Sequence, residues 1–513
     1  MKSLRLLGRL LLPVVAFALA AETAFATWSI VVVDTKTGEV GVACATCLPG
    51  TLEQWVPLIQ PGYGAAAAQS ALDSSAKNRK VIWNGFQAGL SPREILGLIQ
   101  ASDPSFQSRQ FGIVDLVHTP ETFTGSLDGA IAGGVRGQVG TLKYAIQGNV
   151  LTCSQVWLNA EQALLLTPGD LSQKMMAAMQ AAKAQGGDGR CSCAPSNPSG
   201  CGCVTSGLKK SAHVGFIIVA RPGDALGMCT GAAGCANGGY WLNLQIPGVV
   251  SDPIDPVTKL QAAYDAWRAS MVGVPDQVAS DLRQGAPTMM ADGKSTTTVT
   301  IELRDLDGQS VGHGGHLIQI VPQGSGTPVA TPQNLVDHGD GTYSFEFLAG
   351  TLVGGSAWRI VVTDQFTDIP LEPVLSLDTV PPSDLHCGYP WVTAAGGAPI
   401  PFTLDLGPSY AGSDYLLVGS MTGTSPGVPF AGLTLPLNFD PFMRRTIHAA
   451  NQGAFHDTQG QLDADGRATA QWLALPGALA PFVGHHLDFA AAILAPTPPG
   501  PAVTSAVGFD VYP

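Results

Sequence analysis

Up to about residue 270, apolar runs of strand length and stretches of helical period come in blocks. Thr27-Trp28-Ser29-Ile30-Val31-Val32-Val33-Asp34 is dense in β-branched residues, Thr35-Lys36-Thr37-Gly38 supplies a turn, and Glu39 to Ala45 returns. That reads as a β-hairpin over 27–45. Ser91-Pro92-Arg93-Glu94 combines a cap, a first-turn proline and a capping-box acid, so a helix runs from there to about Ala101. Strands are predicted at 109–117, 142–147, 212–220 and 240–246, and helices at 153–165, 170–184 and 257–270. Leu260, Tyr264 and Trp267 share one face of the last helix. Strand pairs and helix pairs in blocks argue for α+β and against a doubly wound parallel sheet.

The pattern changes near residue 275. Short alternating segments then recur between Gly, Pro and Asp turns, as in Thr296 to Arg304 and in Asp340-Gly341-Thr342-Tyr343-Ser344-Phe345. That is the signature of β-sandwiches. Pro381-Pro382 and Gly396-Gly397 bracket a further boundary. The expected organisation is a leader at 1–26, a head at 27–275, a sandwich at 285–380 and a β-rich domain at 395–513.

Composition narrows the function classes. The 513 residues carry only 13% charged side chains and a net charge of −13, with 62 Gly and 38 Pro. An acid-rich chain lacks the basic field that nucleic acid or an anionic membrane attracts. Lys2, Arg5 and Arg9 precede an apolar stretch from Leu10 to Ala21, which reads as a secretory signal peptide. Ala18-Leu19-Ala20 and Ala24-Phe25-Ala26 both fit a cleavage rule, and the second would leave Thr27 as the first residue of a secreted, periplasmic or surface protein. Of the 10 cysteines only Cys387 lies beyond residue 235. Cys191, Cys193, Cys201 and Cys203 flank a Pro/Ser/Gly segment. An exported chain favours a disulfide-stapled loop there over a four-thiolate zinc site, and neither a metal nor another cofactor is expected. Cys44 and Cys47 have redox spacing without a thioredoxin-like setting, which points to a local structural disulfide.

Several short motifs occur in one order: Thr27 to Asp34 with the Gly38 turn, Gly64-Ala65-Ala66-Ala67-Ala68-Gln69, Arg109 to Asp115, Phe123-Thr124-Gly125, Gln147-Gly148-Asn149, Gly186-Gly187-Asp188-Gly189-Arg190 and Asp252 to Asp255-Pro256. On these motifs residues 27–270 resemble the bacterial domain of unknown function 1028, and the resemblance implies an Ntn-hydrolase-like αββα sandwich. The cysteine loop after Arg190 departs from the family pattern. Residues 291–378 look like a bacterial immunoglobulin-like module of the filamin or invasin kind, carried by Asp292-Gly293-Lys294-Ser295-Thr296 and Gly339-Asp340-Gly341-Thr342-Tyr343. Such modules act as spacers or adhesive stalks.

An Ntn hydrolase attacks a carbonyl with its own first side chain, while the free α-amine, of pKa near 8, takes the proton. Thr27 is the candidate nucleophile, although threonine is also an ordinary strand residue. The Gly148 N–H and the Asn149 side chain are candidate oxyanion donors, with Lys143 adding charge, and Ser29 shares the sheet face of Thr27 by period two. Gln-Gly-Asn by itself reads rather as a strand-ending turn. Asp34 belongs to the hairpin turn, Arg109 and Asp115 form a possible charge pair, Asp463 to Gly466 reads as a turn, and His313, His316, His485 and His486 read as surface residues. The expected function is an exported hydrolase acting on a small-molecule or peptide amide, with no nucleic-acid partner and with β modules contacting a cell surface or polymer. The alternative is a non-catalytic binding or structural head on the same modules.

Overall fold

The computed structural model describes residues 27–194, 196–203, 210–365, 367–496 and 498–513, so the leader expected at 1–26 lies outside the described residues. The chain divides after Ser270 into a head and a tail.

The head begins with β1 (Thr27–Asp34), β2 (Val40–Thr46), β3 (Pro57–Gln60) and β4 (Gly64–Ser70), followed by α1 (Lys77–Gln87) and α2 (Pro92–Ser102). Next come β5 (Arg109–Asp115), β6 (Glu121–Thr124), β7 (Gly133–Val139), β8 (Leu142–Asn149), α3 (Gln155–Leu166), α4 (Leu171–Ala184) and α5 (Gly189–Ser192). It ends with β9 (Val214–Ala220), β10 (Leu242–Ile246) and α6 (Pro256–Ser270). One sheet has the order β10-β9-β2-β1-β8-β7 and the other β3-β4-β5-β6. Every ladder in them is antiparallel.

The alternation of side chains builds the layers. On β1, Trp28, Ile30 and Val32 join Met175, Met179, Leu260 and Tyr264 in a core between the first sheet and α3, α4 and α6. Val31 and Val33 point the other way, where with Val40, Val42, Ala65, Ala67 and Val114 they fill the space between the sheets. Phe111, Ile113 and Ala66 then meet Ile82, Phe86, Ile95 and Ile99 of α1 and α2. Helices, sheet, sheet and helices follow in turn, which is the αββα order.

Local chemistry accounts for the element ends. Ser91 accepts from Glu94 N while Glu94 receives the Ser91 N–H, the capping box read from sequence. Lys36 N donates to Asp34 Oδ1 at 2.9 Å in the first hairpin, and Gly38 closes it at φ 73°. A side chain at Gly38 would also meet Pro222 at 2.8 Å, so this turn requires glycine twice over.

The tail is β-rich, in two halves. Strands Asp281–Gln284, Thr296–Glu302, Thr342–Ala349 and Ala330–Asp337 form one sheet; Thr288–Met290, Leu375–Val380, Gly354–Asp364 and Leu317–Gln323 form a second. Val299, Ile301, Phe345, Phe347, Trp358 and Ile360 pack between them, as an Ig-like sandwich does. The last part is another sandwich, with Phe402, Trp472, Phe489 and Phe509 in its core. It also contains a short helix, Pro441–His448, capped by Asp440, which the β reading of that region did not include.

Candidate active site

The space between the two sheets changes character at one end. On β1 the inward positions run from Val33 and Val31 to Ser29 and Thr27. On β2 they end in Thr46, on β4 in Gln69, on β5 in Gln110, and on β8 in Gln147 and Asn149. All seven of these polar residues are buried. Buried polar groups must find partners, and these find one another.

Thr27 lies directly opposite Asn149 in the β1–β8 ladder. Its Oγ1 contacts Thr46 Oγ1 at 3.2 Å, and its carbonyl accepts Gln69 Nε2 at 3.1 Å. Gln69 Nε2 also reaches Gln110 Oε1 at 2.7 Å, and Asn149 Nδ2 donates to the same oxygen at 3.3 Å. Gln110 Nε2 in turn serves the Gly148 carbonyl at 2.8 Å and Thr124 Oγ1 at 2.9 Å. Gln147 Nε2 donates to Ser29 Oγ. Glycine at 112 makes room for this arrangement, since a Cβ there would overlap the Gln147 carboxamide. Gly112→Ala is therefore expected to displace Gln147 from Ser29 and to cost about 1–3 kcal/mol, read as a lower melting temperature of the head.

A charged pair backs the cluster. Asp188, the cap of α5, is fully buried and accepts the Cys47 N–H at 2.6 Å. Arg190 grips it with Nε at 3.1 Å and Nη2 at 2.7 Å. Burial pushes the Asp188 carboxyl up, against the opposing pull of Arg190. Burial, with the Asp188 charge adding to it, also holds the Cys44 thiol well above the usual cysteine range.

The site residues expected from sequence are not all together. Thr27, Ser29 and Asn149 share this end of the inter-sheet layer. Gly148 sits between Trp28 of β1 and Gly133 of β7, inside the sheet, and its carbonyl rather than its N–H meets the cluster. Lys143 pairs with Val33 at the far end of β1, roughly 20 Å along the strand from Thr27. There Lys143 Nζ donates to the Leu116 carbonyl at 3.1 Å, and burial lowers its pKa. Arg109 and Asp115 do not pair: they stand at opposite ends of β5, Arg109 bound to Asp103 at 2.9 Å and Asp115 to His118 at 2.7 Å. Thr46, Gln69, Gln110, Gln147, Asp188 and Arg190 received no role from sequence. All but Thr46 stood inside the ordered motifs, which was the available signal.

The cysteines are also redistributed. Cys47 is joined to Cys191, Cys153 to Cys203, Cys193 to Cys201 and Cys229 to Cys235. All four cysteines of the inserted loop are thus oxidised, which removes the thiolates a zinc site there would need. Cys44 is a buried free thiol instead of the partner of Cys47. In the tail, the His316 side chain is only 3% exposed and bonds Tyr343, so it is not a surface histidine, whereas His485 and His486 are exposed.

Residues 27–196 match DUF1028, a family of unknown function. Every member of the polar cluster, from Thr27 to Arg190, lies within that DUF1028 span. The match ends before β9, β10 and α6, which complete the same sheet and helical layer. Residues 276–368 match Invasin, domain 3. Among solved structures, a DUF1028 protein of Silicibacter pomeroyi is 20% identical, covering 47% of this chain and 88% of its own, with a TM-score of 0.35. The Yersinia pseudotuberculosis adhesin InvE is 18% identical over 45% of this chain and 58% of its own, with a TM-score of 0.18. The Escherichia coli adhesin FdeC is 10% identical over 95% and 97%, with a TM-score of 0.19. No curated protein matches the chain. A head that matches the DUF1028 model and carries four disulfides, followed by a segment that matches an invasin domain, has the make-up of an extracellular or surface protein. Among the described residues no helix is long and apolar enough to cross a membrane.

Proposed function

We propose that the head is an N-terminal-threonine amidohydrolase, matured by cleavage after Ala26. The observation that carries this reading is the place of Thr27, the first residue of β1, at the amide-lined end of the inter-sheet layer opposite Asn149. In the reaction Oγ1 bonds to the acyl carbon of an amide, and its proton passes to the free α-amine of Thr27. The C–N bond then breaks with proton return to the leaving nitrogen, and water hydrolyses the resulting ester. One N–H of the Asn149 carboxamide serves Gln110; the other is assigned to the developing oxyanion. Ser29, one position further along the same face, packs beside the nucleophile. Residues 285–380 and 395–513 act as modules that hold the head at a cell surface or polymer.

The test is N-terminal sequencing of the secreted protein followed by labelling with a β-lactone probe. The mature chain is expected to begin at Thr27, to be labelled there, and to lose all labelling in Thr27→Ala. A mature terminus upstream of Thr27 leaves its nitrogen acylated and ends the catalytic reading. The head is then a non-catalytic binding domain on the same modules.

A further inference from the structure

The nucleophile proposed above is not held by the amide cluster alone. Thr46, the last residue of β2, places its hydroxyl between Thr27 Oγ1 at 3.2 Å and the Asp188–Arg190 pair. Thr46 Oγ1 lies 3.3 Å from Asp188 Oδ2 and 3.1 Å from Arg190 Nη2. The pair is itself immobilised. Asp188 caps the turn carrying Arg190, receives the Cys47 and Arg190 backbone N–H groups at 2.6 and 3.0 Å, and is gripped by two guanidinium nitrogens. A buried carboxylate with this many fixed contacts, held by a half-buried guanidinium, is a rigid reference point.

We infer that Thr46, Asp188 and Arg190 are positioning residues: the ion pair fixes the Thr46 hydroxyl, and that hydroxyl fixes the side-chain rotamer of Thr27. The inference rests on the N-terminal-threonine reading for its catalytic consequence, though not for the rotamer itself. Threonine has staggered χ1 wells that differ in where Oγ1 stands, and only one of them brings Oγ1 against Thr46. A nucleophile that must meet an acyl carbon within a few tenths of an ångström gains its rate from that restriction. In this assignment the three residues act on Thr27 and carry no step of the reaction, so probe affinity is expected to stay unchanged when they are altered.

Thr46→Val keeps the β-branched shape and removes only the hydroxyl; Thr46→Ser keeps the hydroxyl. With the full secreted chain and the β-lactone probe, Thr46→Val is expected to lower the maximal labelling rate of Thr27 about 100-fold at unchanged probe affinity. Thr46→Ser is expected to stay within a fewfold of the parent, and Asp188→Asn to follow Thr46→Val. A second measurement reads the rotamer directly, from three-bond couplings to the Thr27 methyl group by NMR. The parent is expected in a single rotamer and Thr46→Val in an average. Labelling of Thr46→Val at the parent rate overturns the inference. If the parent protein is not labelled at all, the hydrolase reading fails by itself. Rotamer averaging in Thr46→Val then still supports the positioning role, and an unchanged rotamer overturns it.

Discussion

Arg221→Ala is expected to destabilise the head by about 3–5 kcal/mol at pH 8, and by distinctly less near pH 5. Arg221 follows β9 and is buried. Its Nε meets Glu39 Oε1 at 2.8 Å, with 2% and 3% of the two side chains exposed, and the guanidinium lies 3.4 Å from the centre of the Trp241 ring. Glu39 opens the return arm of the first hairpin, so the pair joins β2 to β9 at the hairpin end of their ladder in the larger sheet. Burial already raises the Glu39 carboxyl above the ordinary range, and Arg221 is the main force holding it down. Without the guanidinium the folded-state pKa rises further above the unfolded value. A carboxyl raised in this way binds more protons folded than unfolded, so stability is lost as pH rises through its folded pKa and recovered below the unfolded one. Urea unfolding of the full chain at both pH values, following the head transition, checks the sign and the size. Replacing both partners at once, Glu39→Leu with Arg221→Met, is expected to be milder than either single change, because no charge is then left without its counterpart.

This pair also marks what could be read from the sequence and what could not. The elements with local signals were legible. The β1–β2 hairpin showed its β-branched run and glycine turn, α2 its capping box, and α4 its bounds. Elements that depend on partners were not. α1 begins after Ala76, which is left-handed and offers no side-chain cap, and its first residues, Lys77-Asn78-Arg79-Lys80, carry no apolar period. β7 reads Gly133-Gly134-Val135-Arg136-Gly137-Gln138-Val139, a poor strand that exists because β8 pairs along its whole length. The Cys44–Cys47 spacing suggested a local bridge, but Cys44 lies on the inward face of β2 and Cys47 lies just past the end of that strand. Cys44 therefore enters the inter-sheet core, while Cys47 meets a cysteine 144 residues away. The candidate site divides in the same way. Ser29 could be placed on the face of Thr27 from strand period alone, whereas Asn149 meets Thr27 only through the β1–β8 ladder, which joins strands far apart in sequence. Gln69 and Gln110 acquire their meaning only when one sheet is laid on the other, Thr46 only when the start of α5 brings Asp188 and Arg190 to the end of β2, and Lys143 is removed by the register that brings Asn149 to Thr27.

The second large effect belongs to that long-range bridge. Replacing Cys47 and Cys191 together by serine is expected to cost the head about 4–5 kcal/mol, whereas replacing Cys229 and Cys235 costs roughly 3 kcal/mol less. The reasoning concerns the unfolded chain. A cross-link between residues 144 apart forbids far more unfolded conformations than one between residues 6 apart. The difference grows as the logarithm of the loop length. The Cys47–Cys191 bridge has a local role as well, because it spans the junction where the Cys47 N–H meets Asp188. Its loss should therefore lower the melting temperature of the head by more than loop entropy alone, and weaken the ion pair that fixes Thr46. Calorimetry of the two double-serine variants under oxidising conditions separates the terms. Equal melting temperatures would mean that residual structure in the unfolded head already holds residues 47 and 191 together.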